Sequence, residues 1–384
     1  MTALLGGNRI TLLRSGEQYF PALAQAIDTA RAEVYLETYI YVEDASARRI
    51  TDALCRAARR GVSVHVLVDG FGGKDMPRAL REELLAAGVL LLVFRPDISL
   101  RWRKHRLRRM HRKLVTVDGR VGFLGGINLI DDMHTPGHVP PRYDYAVRFE
   151  GPLLAPAQEA VERLWTLVAW ASLKRRWQAE RPVPVDASPK GCQRAALVLR
   201  DNLRHRADIE DAYLSAIGNS KHEVIIANAY FFPGTHFRHA LVNAARRGVR
   251  VVLLLQGRVE YVLLHYASRA LYGTLLEAGV EIFEYRKSFM HAKVAVIDRR
   301  WATVGSSNID PFSLMLAREA NLVVDDPGFA DELRASLHEA MEEGAQHLPK
   351  TRWLQQPWWR RVPIWIGYGF VRLMMGIVGY GGKH

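Results

Sequence analysis

A chain of 384 residues with 49% hydrophobic side chains can bury a sizeable core, which makes a folded, enzyme-sized body of two average domains or one large duplicated one. Its 53 Lys and Arg against 40 Asp and Glu leave a formal charge of +13, so the partner is expected to be polyanionic, either nucleic acid or an acidic lipid surface. Cys55 and Cys192 stand far apart with no C-x-x-C spacing, which excludes a disulfide framework or a Cys-based zinc site and fits a reducing compartment.

From Met1 to Arg14 the apolar residues are interrupted early by Asn8, Arg9 and Arg14, so no signal peptide is read. No stretch before residue 350 reaches the roughly eighteen unbroken apolar residues of a membrane-spanning helix. Ala57-Ala58-Arg59-Arg60-Gly61-Val62 leads into the strand-like run Ser63 to Asp69, and Ala87-Gly88-Val89 closes a second helix-like stretch. The run Arg101-Trp102-Arg103-Lys104-His105-Arg106-Leu107-Arg108-Arg109 follows, basic and interleaved with aromatic and apolar side chains. It suits acidic headgroups, with a solvated charge run or a nucleic-acid patch as alternatives. Next come His111, Lys113, Asp118, Gly125, Gly126 and Asn128, in the pattern His-x-Lys-x4-Asp-x6-Gly-Gly/Ser-x-Asn.

Residues 178 to 193, with Pro182, Pro184 and Pro189, predict a linker, and beyond it the same order of elements returns. Ala244-Ala245-Arg246-Arg247-Gly248-Val249 leads into an apolar strand, Ala278-Gly279-Val280 closes another helix, and His291, Lys293, Asp298, Gly305, Ser306 and Asn308 repeat the motif at identical spacing. The expected organisation is a first domain over 1–177, a linker over 178–193, a second domain over 194–347 and a tail over 348–384. In the tail, Trp353, Trp358, Trp359, Arg360, Arg361, Trp365, Tyr368, Phe370 and Arg372 precede an apolar end at Tyr380. Tryptophan and arginine beside apolar residues suit a bilayer interface. Arg372 and the glycines argue for lying on or dipping into a membrane rather than spanning it, and a helix docked on the protein's own core is the alternative.

Each motif predicts a strand, Met110 to Val117 and Met290 to Ile297, on which His and Lys share a face. Asp118-Gly119 then turns the chain into a second strand, Arg120 to Leu124. Alternation directs Asp118 and Asp298 away from their own His-Lys pairs, toward a structural part at the turn. Gly125-Gly126 and Gly305-Ser306 let backbone approach a bound group, with Asn128 and Asn308 as donors. Two such copies facing each other supply what phosphodiester transfer without a metal needs. One imidazole attacks phosphorus, the other protonates the leaving alcohol, and Lys113, Lys293, Asn128 and Asn308 hold the non-bridging oxygens.

This doubled pattern resembles the HKD signature of the phospholipase D superfamily. Asn8-Arg9-Ile10, Glu37-Thr38-Tyr39-Ile40-Tyr41, Gly125-Gly126-Ile127-Asn128 and Ala229-Tyr230-Phe231-Phe232-Pro233-Gly234 look most like its bacterial cardiolipin synthases. The resemblance implies an α/β fold of two similar halves, each a mixed sheet flanked by helices, packed with pseudo-twofold symmetry around one cleft. It implies that His111 becomes the covalent phosphohistidine and His291 the acid and base, although the symmetry of the repeat leaves these roles interchangeable. Lys113, Lys293, Asn128, Asn308, Ser306 and Gly126 match the phosphate-binding positions. A carboxylate about thirty residues downstream orients each histidine, and Asp144 and Glu319 occupy those places, with ordinary surface charges as the alternative. Gly126 in place of a serine implies that the halves are not equivalent.

The implied reaction is phosphatidyl transfer between phospholipids, from phosphatidylglycerol or phosphatidylethanolamine, with no cofactor and no metal. A monomer is expected, peripheral on the cytoplasmic face of a bacterial inner membrane and unlikely to bind nucleic acid. Hydrolytic phospholipase D, an HKD nuclease and a catalytically silent membrane adaptor are the rival readings.

Overall fold

The computed structural model describes residues 3–96, 108–174, 183–201, 205–258, 262–310, 317–355, 362, 364–371 and 373. Residues 101–107 of the basic run, 178–182 of the expected linker, and Trp358, Trp359, Arg360, Arg361, Arg372 and 374–380 of the tail lie outside these.

The first half runs β1 (Leu5–Arg14), α1 (Ser15–Asp28), β2 (Glu33–Thr38), α2 (Ala45–Arg59), β3 (Ser63–Asp69), α3 (Arg78–Ala86), β4 (Leu90–Phe94), β5 (Arg109–Met110), β6 (Lys113–Val117), β7 (Val121–Gly125), β8 (Arg142–Tyr143), β9 (Tyr145–Glu150) and α4 (Leu154–Ala171). The second runs β10 (Gln193–Arg200), α5 (Asp208–Asn219), β11 (Glu223–Asn228), α6 (Thr235–Arg246), β12 (Arg250–Gln256), α7 (Val262–Ala270), α8 (Tyr272–Glu277), β13 (Glu281–Tyr285), β14 (Phe289–Met290), β15 (Lys293–Ile297), β16 (Trp301–Gly305), β17 (Ala317–Asp325), α9 (Pro327–Gly344), β18 (Ala345–His347) and α10 (Lys350–Leu354).

The repeat in the sequence is a repeat in space. Strand order is β4-β3-β2-β6-β7-β9-β1, then β10-β17-β16-β15-β11-β12-β13-β18, so the second half mirrors the first. In each, three strands are parallel (β2, β3, β4 and β11, β12, β13) and the motif strand joins them antiparallel. The helix stops fall where the glycines predicted: Gly61 and Gly248 sit at φ +87° and +88°, a conformation that costs a residue with a Cβ.

The two sheets are continuous, because β1 pairs antiparallel with β10. Asn8, fully buried, ties that seam: its Nδ2 donates to the Leu5 carbonyl at 2.7 Å and across to the Gln193 carbonyl of β10 at 3.3 Å, and its Oδ1 accepts the Leu153 N–H at 2.9 Å. One core fills the first half beneath α1 to α3, and another fills the second beneath α5 to α8. A third, containing Trp165 of α4 and Leu337 of α9, draws on both sheets. The halves are therefore held by shared apolar burial as well as by the seam.

After α10 the chain is helical again at 364–371. Ile364 and Val371 are buried in the second-half core, and Tyr368 stacks obliquely on Phe232 at 5.9 Å. Trp365 and Ile366, by contrast, are 62% and 65% exposed. Docking on the core and an outward apolar face thus coexist. Among the described residues no helix is long and apolar enough to cross a membrane.

Asp118 and Asp298 close equivalent corners. Asp118 accepts the N–H groups of Arg31, Ala32 and Glu33 at 2.8, 2.8 and 2.9 Å, and Asp298 those of Lys221, His222 and Glu223 at the same three distances. Each fixes the start of the strand beside its own motif strand. Asp118→Ala is expected to lower stability by about 3 kcal/mol, since three backbone donors lose a charged acceptor. Urea unfolding measures this, and an unchanged midpoint with lost activity would move Asp118 into the chemistry.

Candidate active site

Neither predicted motif strand is continuous. β5 ends at Met110 and β6 begins at Lys113; between them the N–H groups of His111 and Arg112 both donate to the Arg318 carbonyl of the second half, at 3.0 and 2.9 Å. In the second copy, β14 ends at Met290, β15 begins at Lys293, and the His291 N–H donates to the Tyr143 carbonyl of the first half at 2.8 Å. The chain leaves its own sheet at the histidine because a carbonyl of the other half captures the backbone there. Short parallel pairings, β5 with β17 and β14 with β8, carry the crossing.

The crossing exchanges the carboxylates. His111 Nδ1 lies 2.9 and 3.2 Å from the two oxygens of Glu319, and His291 Nδ1 lies 2.7 Å from Asp144 Oδ2. This corrects the expectation of an orienting group downstream in the same copy: the two residues are those named from the sequence, but each serves the opposite histidine. Both carboxylates are buried, while the His111 and His291 side chains keep 16% and 12% exposure, enough to present an edge to the cleft. With Nδ1 facing a carboxylate, Nε2 is left as the reactive nitrogen.

The lysines are equally enclosed. Lys113 Nζ donates to the His111 carbonyl at 2.6 Å; Lys293 Nζ donates to the His291 carbonyl and lies 3.9 Å from Asp144 Oδ2. Burial, then the Lys293 charge, pulls Lys113 down to about 7 against the opposing effect of Glu319 and Asp144. Burial and Lys113 hold His111 below its ordinary range despite Glu319, and burial and Lys293 bring His291 down to about 3 despite Asp144. Burial alone would raise Asp144, but Lys293 and His291 outweigh it and keep its carboxyl below the usual range. At neutral pH the site therefore holds two neutral imidazoles beside carboxylates, which is the state a nitrogen nucleophile requires.

Gly126 and Ser306 differ for a visible reason. A Cβ on Gly126 would stand 2.3 Å from Asp144 Oδ1, so glycine makes room for the shorter carboxylate. Ser306, fully buried, instead donates its hydroxyl to Glu319 Oε2 and accepts the Ala320 N–H at 3.1 Å. Asn128 accepts the Ile40 N–H at 3.1 Å through Oδ1, which makes its amide nitrogen the donating end, and Asn308 is buried at the matching turn. The tyrosines were not singled out from the sequence. Tyr39 packs edge-on to His111 with ring centres 4.8 Å apart, and Tyr230 lies edge-on to His291 at 6.5 Å. Their position just past β2 and β11, strands beside each motif strand, was the available signal.

Residues 23–136 and 213–341 match the family model described as "Cardiolipin synthase, PLD-like domain", each segment enclosing one copy of the motif. The chain is 41% identical over 376 residues to cardiolipin synthase B of Escherichia coli O6:H1, spanning 97% of this chain and 90% of that one. The chain belongs to the cardiolipin synthase family of phospholipase D-like proteins. Cardiolipin synthase A of Pseudomonas aeruginosa is 32% identical over 356 residues, 91% of this chain and 70% of that one. The crystal structure of phosphatidylserine synthase from Haemophilus influenzae shares the fold, with a TM-score of 0.74 at 13% identity over 99% and 97% of the two chains. As a member of the cardiolipin synthase family, the protein is a phospholipid phosphatidyltransferase.

Two outcomes are expected. Gly126→Ala, which displaces Asp144, should lower kcat about 100-fold with little change in KM, whereas Ser306→Ala, which removes one hydrogen bond to Glu319, should cost about tenfold; steady-state kinetics that rank them in reverse would refute the packing argument. Since Lys113 is charged below about 7 and neutral above it, kcat/KM should fall as pH rises through that value. Lys113→Arg, charged throughout, should flatten this limb at whatever rate it retains, and a limb that persists would belong to another group.

Proposed function

We propose that this site transfers a phosphatidyl group from phosphatidylglycerol to His111 and then to a hydroxyl of a second phosphatidylglycerol, giving cardiolipin and glycerol, with phosphatidylethanolamine as an alternative donor. The crossed His111–Glu319 and His291–Asp144 pairs carry the reading, since each half supplies an oriented imidazole and part of the other half's machinery.

In the first step His111 Nε2 attacks phosphorus, the P–O bond to glycerol breaks, and a protonated His291 gives its proton to the departing oxygen. In the second, His291 takes the proton of the incoming hydroxyl, that oxygen bonds to phosphorus, and the P–N bond breaks. Lys113, Lys293, Asn128 and Asn308 hold the non-bridging oxygens. The low proton affinity of His291 in the empty site means that it can act as the acid only if it gains a proton when substrate binds. The bound diester supplies the condition for charging it, because its negative charge offsets the Lys293 and Arg142 charges that, with burial, oppose protonation.

The substrate would be met at an anionic membrane to which the protein is peripherally bound. The outward side chains Val362, Trp365, Ile366, Phe370 and Leu373, together with the net charge of +13, support that placement.

Lipid analysis of phosphatidylglycerol incubated with the full chain tests the whole reading. The wild type should make cardiolipin and His111→Ala none. Trp365→Ser with Ile366→Ser should lose activity severalfold on vesicles but keep it on detergent-dispersed lipid. Phosphatidic acid in place of cardiolipin would make the protein a hydrolase, and DNA cleavage without any lipid product would make it a nuclease.

A further inference from the structure

Beside His111 the two halves together gather guanidinium groups that the catalytic scheme does not use. Arg109 on β5 lies opposite Ala317 of β17, next to Arg318, whose carbonyl holds the backbone of His111. Arg95, just past β4, is close enough to Arg109 and Arg318 for the charges to oppose one another. Arg109 and Arg95 rest on the rings of Phe71 and Phe94, 5.4 and 5.5 Å from the centroids. On each, Nη1 is buried and has no hydrogen-bond partner, a costly condition for a charged donor.

The nearby carboxylates are engaged elsewhere. Glu37 is paired with Arg112, whose guanidinium also donates to the Ala160 carbonyl. Asp69 accepts the N–H groups of Met110, Phe71 and Gly72. Asp201 also lies near enough to favour the charge on Arg318. Burial works against the charges on Arg95 and Arg318, and neighbouring arginines add to this.

Beside His291 the described residues offer Arg142, 5.5 Å from the Phe289 ring centroid, but its guanidinium donates to the Asp131 and His134 carbonyls at 3.2 and 3.1 Å. By position in the motif, Arg109 corresponds to Phe289, Arg112 to Ala292 and Arg318 to Tyr143. Arg286, past the end of β13 as Arg95 is past β4, donates to Glu284 and is satisfied. There Tyr143 stacks on Tyr285 with ring centres 5.6 Å apart. Among the described residues, the arginines on the His291 side are satisfied and lie beside aromatic rings, whereas Arg95 and Arg109 on the His111 side each keep a buried donor without a partner.

We propose that Arg95, Arg109 and Arg318 form a second anion subsite, which binds the phosphodiester of the acceptor lipid while its free hydroxyl reaches the phosphorylated histidine. The inference rests on the transfer reading above. In that reaction the acceptor already carries a phosphodiester, separated from its attacking hydroxyl by the three carbons of its glycerol headgroup. Water and simple alcohols lack this group. Fork-shaped guanidinium donors suit a phosphodiester, and a subsite for it would favour lipid over water as the second substrate.

The test is a competition on one intermediate. Phosphatidylglycerol vesicles are incubated with ethanol present, and the initial rates of cardiolipin and phosphatidylethanol formation are read together. Arg95→Gln, Arg109→Gln and Arg318→Gln should each lower the cardiolipin-to-phosphatidylethanol ratio about tenfold, the loss of one charge-assisted contact, and Arg318→Lys should recover part of it. Weaker adsorption to the vesicle lowers both products and leaves the ratio alone. A ratio within twofold of wild type in all three variants overturns the subsite, whatever happens to the total rate. If Arg318→Gln does not fold, the other two decide it. Wild-type protein that makes phosphatidylethanol but no cardiolipin removes the transfer reading itself, a failure distinct from an unchanged ratio.

Discussion

The arrangement of this protein depends on the exchange of carboxylates between its halves. A histidine that is to attack phosphorus has to be neutral, fixed in one tautomer and close to cations that would otherwise hold it loosely or repel its proton. Here the fixing group comes from the opposite half in both directions, Glu319 to His111 and Asp144 to His291. Neither half is a site alone. The β1–β10 seam and the core shared by α4 and α9 set the registration on which those two contacts rest.

The same exchange balances charge. Lys113 and Lys293 are buried with Asp144 and Glu319, a combination that avoids the cost of any one of them enclosed alone. A bound phosphodiester tips this balance by one negative charge. The natural compensation is a proton on an imidazole, so in the proposed reaction substrate binding itself would prepare the acid that the first step consumes. The neutrality of the resting imidazoles and their later use as an acid are thus two states of one electrostatic system.

The duplicated motif, the glycine-stopped helices and the paired α/β halves were legible in the sequence, because each is set by local spacing and by the 2.0- and 3.6-residue periods. Asp144 and Glu319 could be named by their distance from the motifs, yet their exchange could not be read. It depends on contacts across 208 and 147 residues that no local pattern encodes. The break at each histidine was hidden for the same reason, since alternation continues through Met110 to Val117 and only the Arg318 carbonyl interrupts it. Gly126 could be seen as a missing hydroxyl, but that it makes room for Asp144 required the opposing strand. Arg109 read as part of a basic run, whereas its neighbours Arg95 and Arg318 arrive from strands distant in sequence.

Fusion of the two copies in one chain gives them freedom that a symmetric dimer lacks. Identical subunits would place the same group beside both histidines, but the proposed reaction asks different things of them: one would hold phosphorus covalently while the other moves a proton twice. The chain has diverged where that difference bears, with Asp144 over Gly126 on one side and Glu319 bonded to Ser306 on the other. The histidines, lysines and corner aspartates remain matched, because both copies must still build the same strands and grip the same phosphate. Symmetry persists in what shapes the cleft and is lost in what distinguishes its two sides.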